Sequence, residues 1–426
     1  MDPKTLLLKA LDADKQSQID LLQAFVRAAC PNPPGDTTIA ATVLTDYLTS
    51  KGIPYEIIEP QPGQPNVVSE FQGGKGSGPR VVMNGHIDVF PVGDGAGWSR
   101  DPWSGEIVGD QIHGRGVVDM KSGTASLVVA YAYLYERRDL LSGSVALCAV
   151  SDEETGGKWG TKYLIQQDRA RWGGDLMMNT EPGGCGTIRF AEKGTLRMTV
   201  TVKTRDAHGA YTNLSKGAIR TASAFITDVV RDVEAIPVDL PAEMAAHLAK
   251  PEVRRVIDET MGAGTADIID RPTVNIGTIK GGLKVNMIPS TCVFEADIRL
   301  PVGLTKEQVL AVMEPIATSY KDQGATIELE VQQAASNPYS FSSISHSIVS
   351  LLVENAKDLA PDAKQPIPIP SMGATDCKHY RYAGVPAYTY GCSPYKMASV
   401  DEYASIKEFL HVTKVQAAAT WDFLKG

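Results

Sequence analysis

The sequence predicts an α/β protein: a domain with a mostly parallel sheet, interrupted by an inserted α+β unit. Three observations predict it. Short apolar runs alternate with helical segments up to Thr180. Near residue 193 the pattern changes to strands and helices that form a set of their own, and near residue 336 the first pattern resumes. Apolar runs too continuous to alternate faces belong to strands buried on both sides, as in a parallel sheet covered by helices. With 426 residues the chain also exceeds one ordinary core, so two domains are expected.

Residues 16–29 place Ile19, Leu22, Phe25 and Val26 at helical spacing. The loop Pro31-Asn32-Pro33-Pro34-Gly35-Asp36 ends that helix, and a second one, 37–50, is closed by Gly52. Segments 67–71 and 81–84 flank a glycine-rich turn at 73–78 and are expected to form a hairpin. Val81-Val82-Met83 then leads to Gly85-His86, the run 144–150 leads to Ser151-Asp152-Glu153-Glu154, and Leu176-Met177-Met178 leads to Thr180-Glu181. Helix 122–136 separates the first two runs. The middle of the chain reads as strand 196–203, helix 218–233, strands 273–279 and 292–300, helix 305–320 and strand 326–331, a split βαβ arrangement. Residues 237–270 within it are mostly helical and acid-rich. After it come helix 344–359, a proline-rich stretch 361–370, a strand at 387–390 and a final helix 404–424. The expected division is therefore 1–192 and 336–426 for the first domain, with 193–335 inserted.

Composition narrows the class. Hydrophobic residues make up 43% and charged residues 21%, the balance of a globular chain. The net charge of -9 is spread without runs, which argues against a nucleic-acid partner. Six scattered cysteines without a CxxC pair read as free thiols in a reducing compartment. Charged residues interrupt Leu6-Leu7-Leu8 at once, and no apolar run approaches membrane-spanning length. A cytoplasmic protein without a membrane or nucleic-acid partner is expected.

In an open parallel sheet, ligands bind outside the carboxyl ends of the strands. Three such ends carry His86 with Asp88, Glu153 with Glu154, and Glu181; Asp119 follows the loop His113-Gly114-Arg115-Gly116. Five converging carboxylates repel one another unless protonated or neutralised by a metal. One imidazole among carboxylates suits zinc or a related divalent ion. Taken singly, a His-x-Asp or a Glu-Glu pair is usually accidental; at successive strand ends they support one another. His113 reads as a packing histidine, and His247, His346 and His411, on predicted helices, as structural or surface residues. The cysteines read as core packing.

The segment GHIDVFPVGDGAGWSRDPWSGEI, followed by GDQIHGRGVVDMKSGTAS, resembles the di-zinc aminoacylase and carboxypeptidase family. Acetylornithine deacetylase, succinyl-diaminopimelate desuccinylase, aminoacylase-1 and glutamate carboxypeptidases belong to it. The resemblance continues through SDEETGG, NTEP, AHGAYTN, TVNIGTIKGGLKVNMIPS, FEADIRLP and GATDCKHYRYAGVPAYTYG, nearly the whole chain. It implies hydrolysis of an amide in a small substrate bearing a carboxylate, such as an N-acyl amino acid. By position it implies His86 and Glu181 as ligands of a first zinc, Asp119 as a bridging carboxylate and Glu154 as a ligand of a second zinc. Cobalt or manganese could use the same set. Asp88 would orient the His86 imidazole, and Glu153 would be the general base. The inserted domain resembles the family's ferredoxin-like lid and dimerisation domain, so a homodimer is implied. There His208 would stabilise the oxyanion in the partner's site, and Asn286 and Arg299 would contact the substrate. Gly373 lies in the loop that faces substrate.

Two departures stand out. Where the family has a last zinc-ligating histidine, four residues before Glu402, this chain has Ala398, with Met397 beside it. Lys378 stands where relatives often have Arg, keeping charge at a substrate-binding position but losing the bidentate fork. Two alternatives follow: a dipeptidase or carboxypeptidase with the same chemistry, and a metal-poor relative that binds or forms amides rather than cleaving them.

Overall fold

The structure, a computed structural model, describes residues 2–425. The chain divides into two compact units. The first runs up to Phe190 and takes up again with Phe341–Ile369 and from Thr375 onward; the second comprises Ala191–Ser340 and Pro370–Ala374.

A nine-stranded sheet organises the first unit. Its middle is parallel, in the order Ser144–Val150, Arg80–His86, Leu176–Asn179, Ala387–Thr389. Antiparallel neighbours extend it: Asn66–Gln72 beside Ser144–Val150, and Thr187–Glu192 beside Ala387–Thr389. Every residue of Ser144–Val150 and Leu176–Asn179 is buried, the burial that continuous apolar runs require. The helix Ser122–Tyr135, buried all round, packs on Arg80–His86 and Ser144–Val150 and against the helix Ile406–Leu424. The mostly parallel α/β architecture expected from the sequence is thus present.

The expected hairpin is not. Ser144–Val150 lies between its two arms: Val68 faces Cys148 across an antiparallel ladder, and Val82 faces Ala146 across a parallel one. The glycines serve another purpose. A Cβ on Gly73 would lie 2.2 Å from Leu141 O, and one on Gly78 2.8 Å from Gly143 N. Side chains are excluded there so that the turn can lie against the backbone leading into the intervening strand. Two further elements were not legible. Pro3–Ala13 is a helix, capped by the Asp2 carboxylate on Thr5 N at 3.0 Å with proline in its first turn. Ile367–Ser371, inside the proline-rich stretch, is a strand that pairs with Thr187–Glu192, and among the described strands no second one flanks it, the edge position where proline is tolerated.

The second unit holds a four-stranded sheet in the order Thr273–Gly281, Thr291–Leu300, Gly194–Thr204, Ala325–Val331, antiparallel throughout. The helices Ala218–Glu234 and Lys306–Ser319 pack on it in strand–helix–strand–strand–helix–strand succession, a ferredoxin-like plan. Met198, Val200, Phe225, Phe294 and Ile298 are fully enclosed in its core. Thr273–Gly281 is an edge strand whose last residues are exposed on both faces.

Candidate metal centre

The sheet order explains the site. Ser144–Val150, Arg80–His86 and Leu176–Asn179 are adjacent and parallel, so the loops that follow them emerge side by side. His86 ends the middle strand, Glu181 follows one neighbour, and Glu153 and Glu154 follow the other. Asp119 arrives from the irregular turn Val117–Lys121, just before the buried helix.

Three of these residues converge. His86 Nε2 lies 3.2 Å from Asp119 Oδ1 and 3.5 Å from Glu181 Oε1. One ligand atom from each falls within 4.8 Å of the others, and among the described residues no other histidine, cysteine or carboxylate set is so grouped. Glu154 stands outside this triplet, yet Asp119 acts on it and its Oε1 is buried without a hydrogen-bond partner.

The electrostatics show what the cluster lacks. Burial disfavours charge on His86, but Glu181, Asp119 and Asp88 around it hold its pKa well above the usual value. Burial and Asp119 push Glu154 up to about 10, and the same two influences hold Glu181 well above the ordinary carboxylate range. Burial lifts Glu153 to about 7, opposed by Lys378. Protons gather where positive charge is missing, and a divalent cation among one imidazole and several carboxylates would supply it. The donor set therefore fits a metal ion.

A prediction follows for the ion-free protein. Glu153, Glu154 and Glu181 have pKa values raised above those of the unfolded chain, so each contributes stability below its ordinary value that is lost as pH rises through the folded one. Urea unfolding of chelated protein should give a lower midpoint at pH 8 than at pH 5, and saturating divalent ion should flatten the difference. A chelated protein more stable at the higher pH would contradict the cluster's polarity.

Supporting contacts fix these side chains. The sequence assigned the orienting of His86 to Asp88; its backbone carbonyl does this, 2.7 Å from Nδ1, while the carboxylate lies 3.6 Å away. That carboxylate accepts the N–H groups of Glu153 and Glu154, each at 3.2 Å, and Asn32 Nδ2 at 2.8 Å. It holds the turn carrying both glutamates. Asp152 sharpens that turn at φ 79°, a left-handed conformation that Asp tolerates better than most residues, and its carboxylate accepts from Trp159 N at 3.0 Å. Asn32 gave no signal in the sequence beyond membership of a proline-rich loop.

Glu402, met in the sequence only as the anchor of a departed motif, holds the Asp119 turn. It is fully buried, accepts from Val118 N at 2.9 Å and pairs with Arg115 Nη1 at 2.7 Å. Removing one partner of such a buried pair typically costs about 3–5 kcal/mol. Ala398, at φ 58°, offers only its carbonyl, 3.4 Å from Arg115 Nη2. Lys378 is buried with Nζ 3.6 Å from Glu153 Oε1 and 3.0 Å from Thr375 O, facing the proposed base. Nearby Asp376, which the sequence reading did not single out, is buried and accepts from Thr161 Oγ1 at 2.7 Å.

The remaining expected residues belong to the second unit. His208 is exposed on a short ladder opposite Met287, and Gly209 N donates to Asn286 O at 2.8 Å, so His208 and Asn286 are neighbours. Arg299, half-buried, donates from Nη2 to Asp297 Oδ2 at 2.8 Å. Gly373 is exposed, its N–H on Ser371 Oγ at 3.3 Å.

Comparison with known proteins gives three kinds of match. The profile of Peptidase family M20/M25/M40 matches residues 82–422. Succinyl-diaminopimelate desuccinylase of Methylobacterium sp. (strain 4-46) is 34% identical over 223 residues, 49% of this chain and 55% of the relative. The same-named protein of Methylobacterium radiotolerans is 27% identical over 408 residues, 93% and 94% of the two chains. At the higher identity, then, the chain spans about half the length of the curated relative it matches. Among solved structures, an M20 family metallo-carboxypeptidase from Sulfolobus solfataricus superposes with a TM-score of 0.73 at 18% identity, covering 98% of both chains. A di-peptidase from Saccharomyces cerevisiae gives 0.72 at 16%, covering 99% and 98%.

Proposed function

The chain belongs to Peptidase family M20/M25/M40, and from that premise we propose that it is a metal-dependent hydrolase cleaving the amide bond of an N-acyl amino acid or small peptide that carries a carboxylate. The convergence of His86, Asp119 and Glu181 within 4.8 Å carries the reading. These three would hold a divalent ion, with Glu154 beside them for a second. Zinc suits the mixed donors, and cobalt or manganese could replace it. When bound, the ion supplies Lewis acidity to the water and the amide carbonyl.

The chain's own residues supply the rest. Glu153 accepts the proton of the attacking water and delivers it to the leaving amine. Lys378, 3.6 Å from it, favours the carboxylate form that begins the cycle. Asp88 keeps Glu153 facing the cluster through its backbone. On the pattern of motif positions we assign oxyanion stabilisation to His208 and substrate contacts to Asn286, Arg299, Gly373 and Lys378.

Desuccinylase names among the relatives favour an N-acyl amino acid over a peptide, without extending their substrate to this chain. A panel of N-succinyl, N-acetyl and longer N-acyl amino acids against dipeptides tests this, with faster turnover of the acyl compounds expected. Preference for dipeptides would select the carboxypeptidase or dipeptidase alternative, and turnover of neither, in metal-loaded protein, the non-hydrolytic one.

A homodimer through the second unit accords with its surface. The edge strand Thr273–Gly281 is open on one side, and Ile279, Leu283 and Val285 are 50%, 93% and 101% exposed. An open edge beside apolar side chains favours pairing with a second copy. Sedimentation should show a dimer for the parent and a monomer for the double variant Leu283→Glu, Val285→Glu; a monomeric parent would remove the proposal. The scattered free thiols support a reducing compartment, and a cytoplasmic location is part of the proposal. Among the described residues no helix is long and apolar enough to cross a membrane.

A further inference from the structure

The first unit contains a cavity of about 540 Å³ that none of the carboxylate-cluster residues lines. Its size is that of a small-molecule site. The apolar part comes from Ala356, Leu359 and Ala360 at the end of the helix Ser347–Leu359, and from Leu410 of the helix Ile406–Leu424.

The charged lining is one-sided. Lys15, Lys364, Lys407 and Lys414 contribute to it, against one acid, Glu408. The Glu408 carboxylate is already engaged, accepting Ser393 N at 2.7 Å, Ser393 Oγ at 2.9 Å and Tyr395 OH at 3.1 Å. Asp12 alone faces both Lys15 and Lys414, at 3.2 and 3.1 Å, so one carboxylate is shared between two ammonium groups. Against the apolar surface sits a polar pair, Tyr390 OH and His411 Nε2, 2.9 Å apart. Burial and the nearby Lys414 and Lys407 hold His411 down to about 4, so the pair is neutral and adds hydrogen bonding without charge.

An apolar surface with a cationic rim and an uncharged polar pair selects an amphipathic anion. We propose that this cavity binds a small monocarboxylate with an aliphatic body, its chain on Ala360 and Leu410 and its carboxylate among Lys15, Lys407 and Lys414. The alkyl portion supplies the burial of apolar surface. The lysines exclude alkyl ammonium ions of the same shape, and an inorganic anion lacks the apolar body. The claim is independent of what the carboxylate cluster catalyses.

The cavity is nevertheless connected to that cluster. Gln416 Nε2 donates to Tyr390 O at 2.9 Å and to Asn179 O at 3.3 Å, and Asn179 Oδ1 accepts Glu181 N at 2.8 Å. A carboxylate probe could also ligate an ion at Glu181, so the test must separate the two places.

Calorimetric titration of the purified full chain with octanoate is the experiment, with octylamine and inorganic phosphate as controls. Saturable binding of octanoate alone is expected, weakened at least tenfold by Lys407→Gln with Lys414→Gln and by Ala360→Trp, and unchanged in Glu181→Gln. If Ala360→Trp loses its folded circular-dichroism spectrum, the double lysine variant decides. Absence of octanoate binding, equal binding of octylamine, or loss in Glu181→Gln with retention in the cavity variants would overturn the proposal.

Discussion

Glu153→Gln is expected to lower kcat by about 10²–10⁴-fold while leaving the divalent metal content per chain unchanged. Glutamine keeps the shape of the side chain and the backbone N–H that Asp88 holds at 3.2 Å, so the turn should survive. What it removes is the carboxylate facing Lys378, the proposed proton acceptor. Glu153 lies outside the His86, Asp119 and Glu181 triplet, so metal retention follows from the geometry. Kinetics with elemental analysis of the same sample provide the check. Near-normal turnover would take the proton-transfer role away from Glu153; a fall in metal content alongside kcat would make it a ligand instead.

Chelation is the second large effect. Stripping the divalent ion should abolish turnover and lower the unfolding temperature, both restored by zinc, cobalt or manganese. The stabilisation follows from linkage: an ion present at a thousandfold its Kd contributes about 4 kcal/mol. The cluster sharpens the expected direction, because the ion relieves repulsion among groups that otherwise retain protons. Ala398 brings no side-chain ligand, so one tightly held ion per chain is expected, with any second ion lost first on dialysis. Two ions held with equal tenacity would show that Glu154 recruits other donors; full activity after exhaustive chelation would end the metal reading.

The sequence carried the catalytic strands well because their chemistry is local. A buried parallel strand writes itself as an apolar run, and its carboxyl end marks where a ligand must sit, so His86, Glu181 and the Glu153–Glu154 pair could be read directly. Asp119 lies in an irregular turn rather than at a strand end, so the glycine-flanked loop before helix 122–136 marked its place, and only its bridging role needed the family pattern. Contacts between distant segments left no trace. Nothing near Gly73 announces that Leu141 will lie against it, and the hairpin expectation failed for that reason. Nothing near Asn32 points to Asp88. The edge strand Ile367–Ser371 was hidden by prolines whose missing N–H matters only in a strand paired on both sides.

The grip of Glu402 on the Asp119 turn bears on how the protein comes into being. Val118 and Glu402 are separated by 284 residues, so during synthesis His86, Asp119 and Glu181 leave the ribosome long before the residue that secures the turn between them. The arrangement of the three side chains is therefore secured only once Glu402 has been made. A product cut short ahead of Glu402 would lack the contact that secures the Asp119 turn, and the proposed hydrolysis would report that translation had passed that residue.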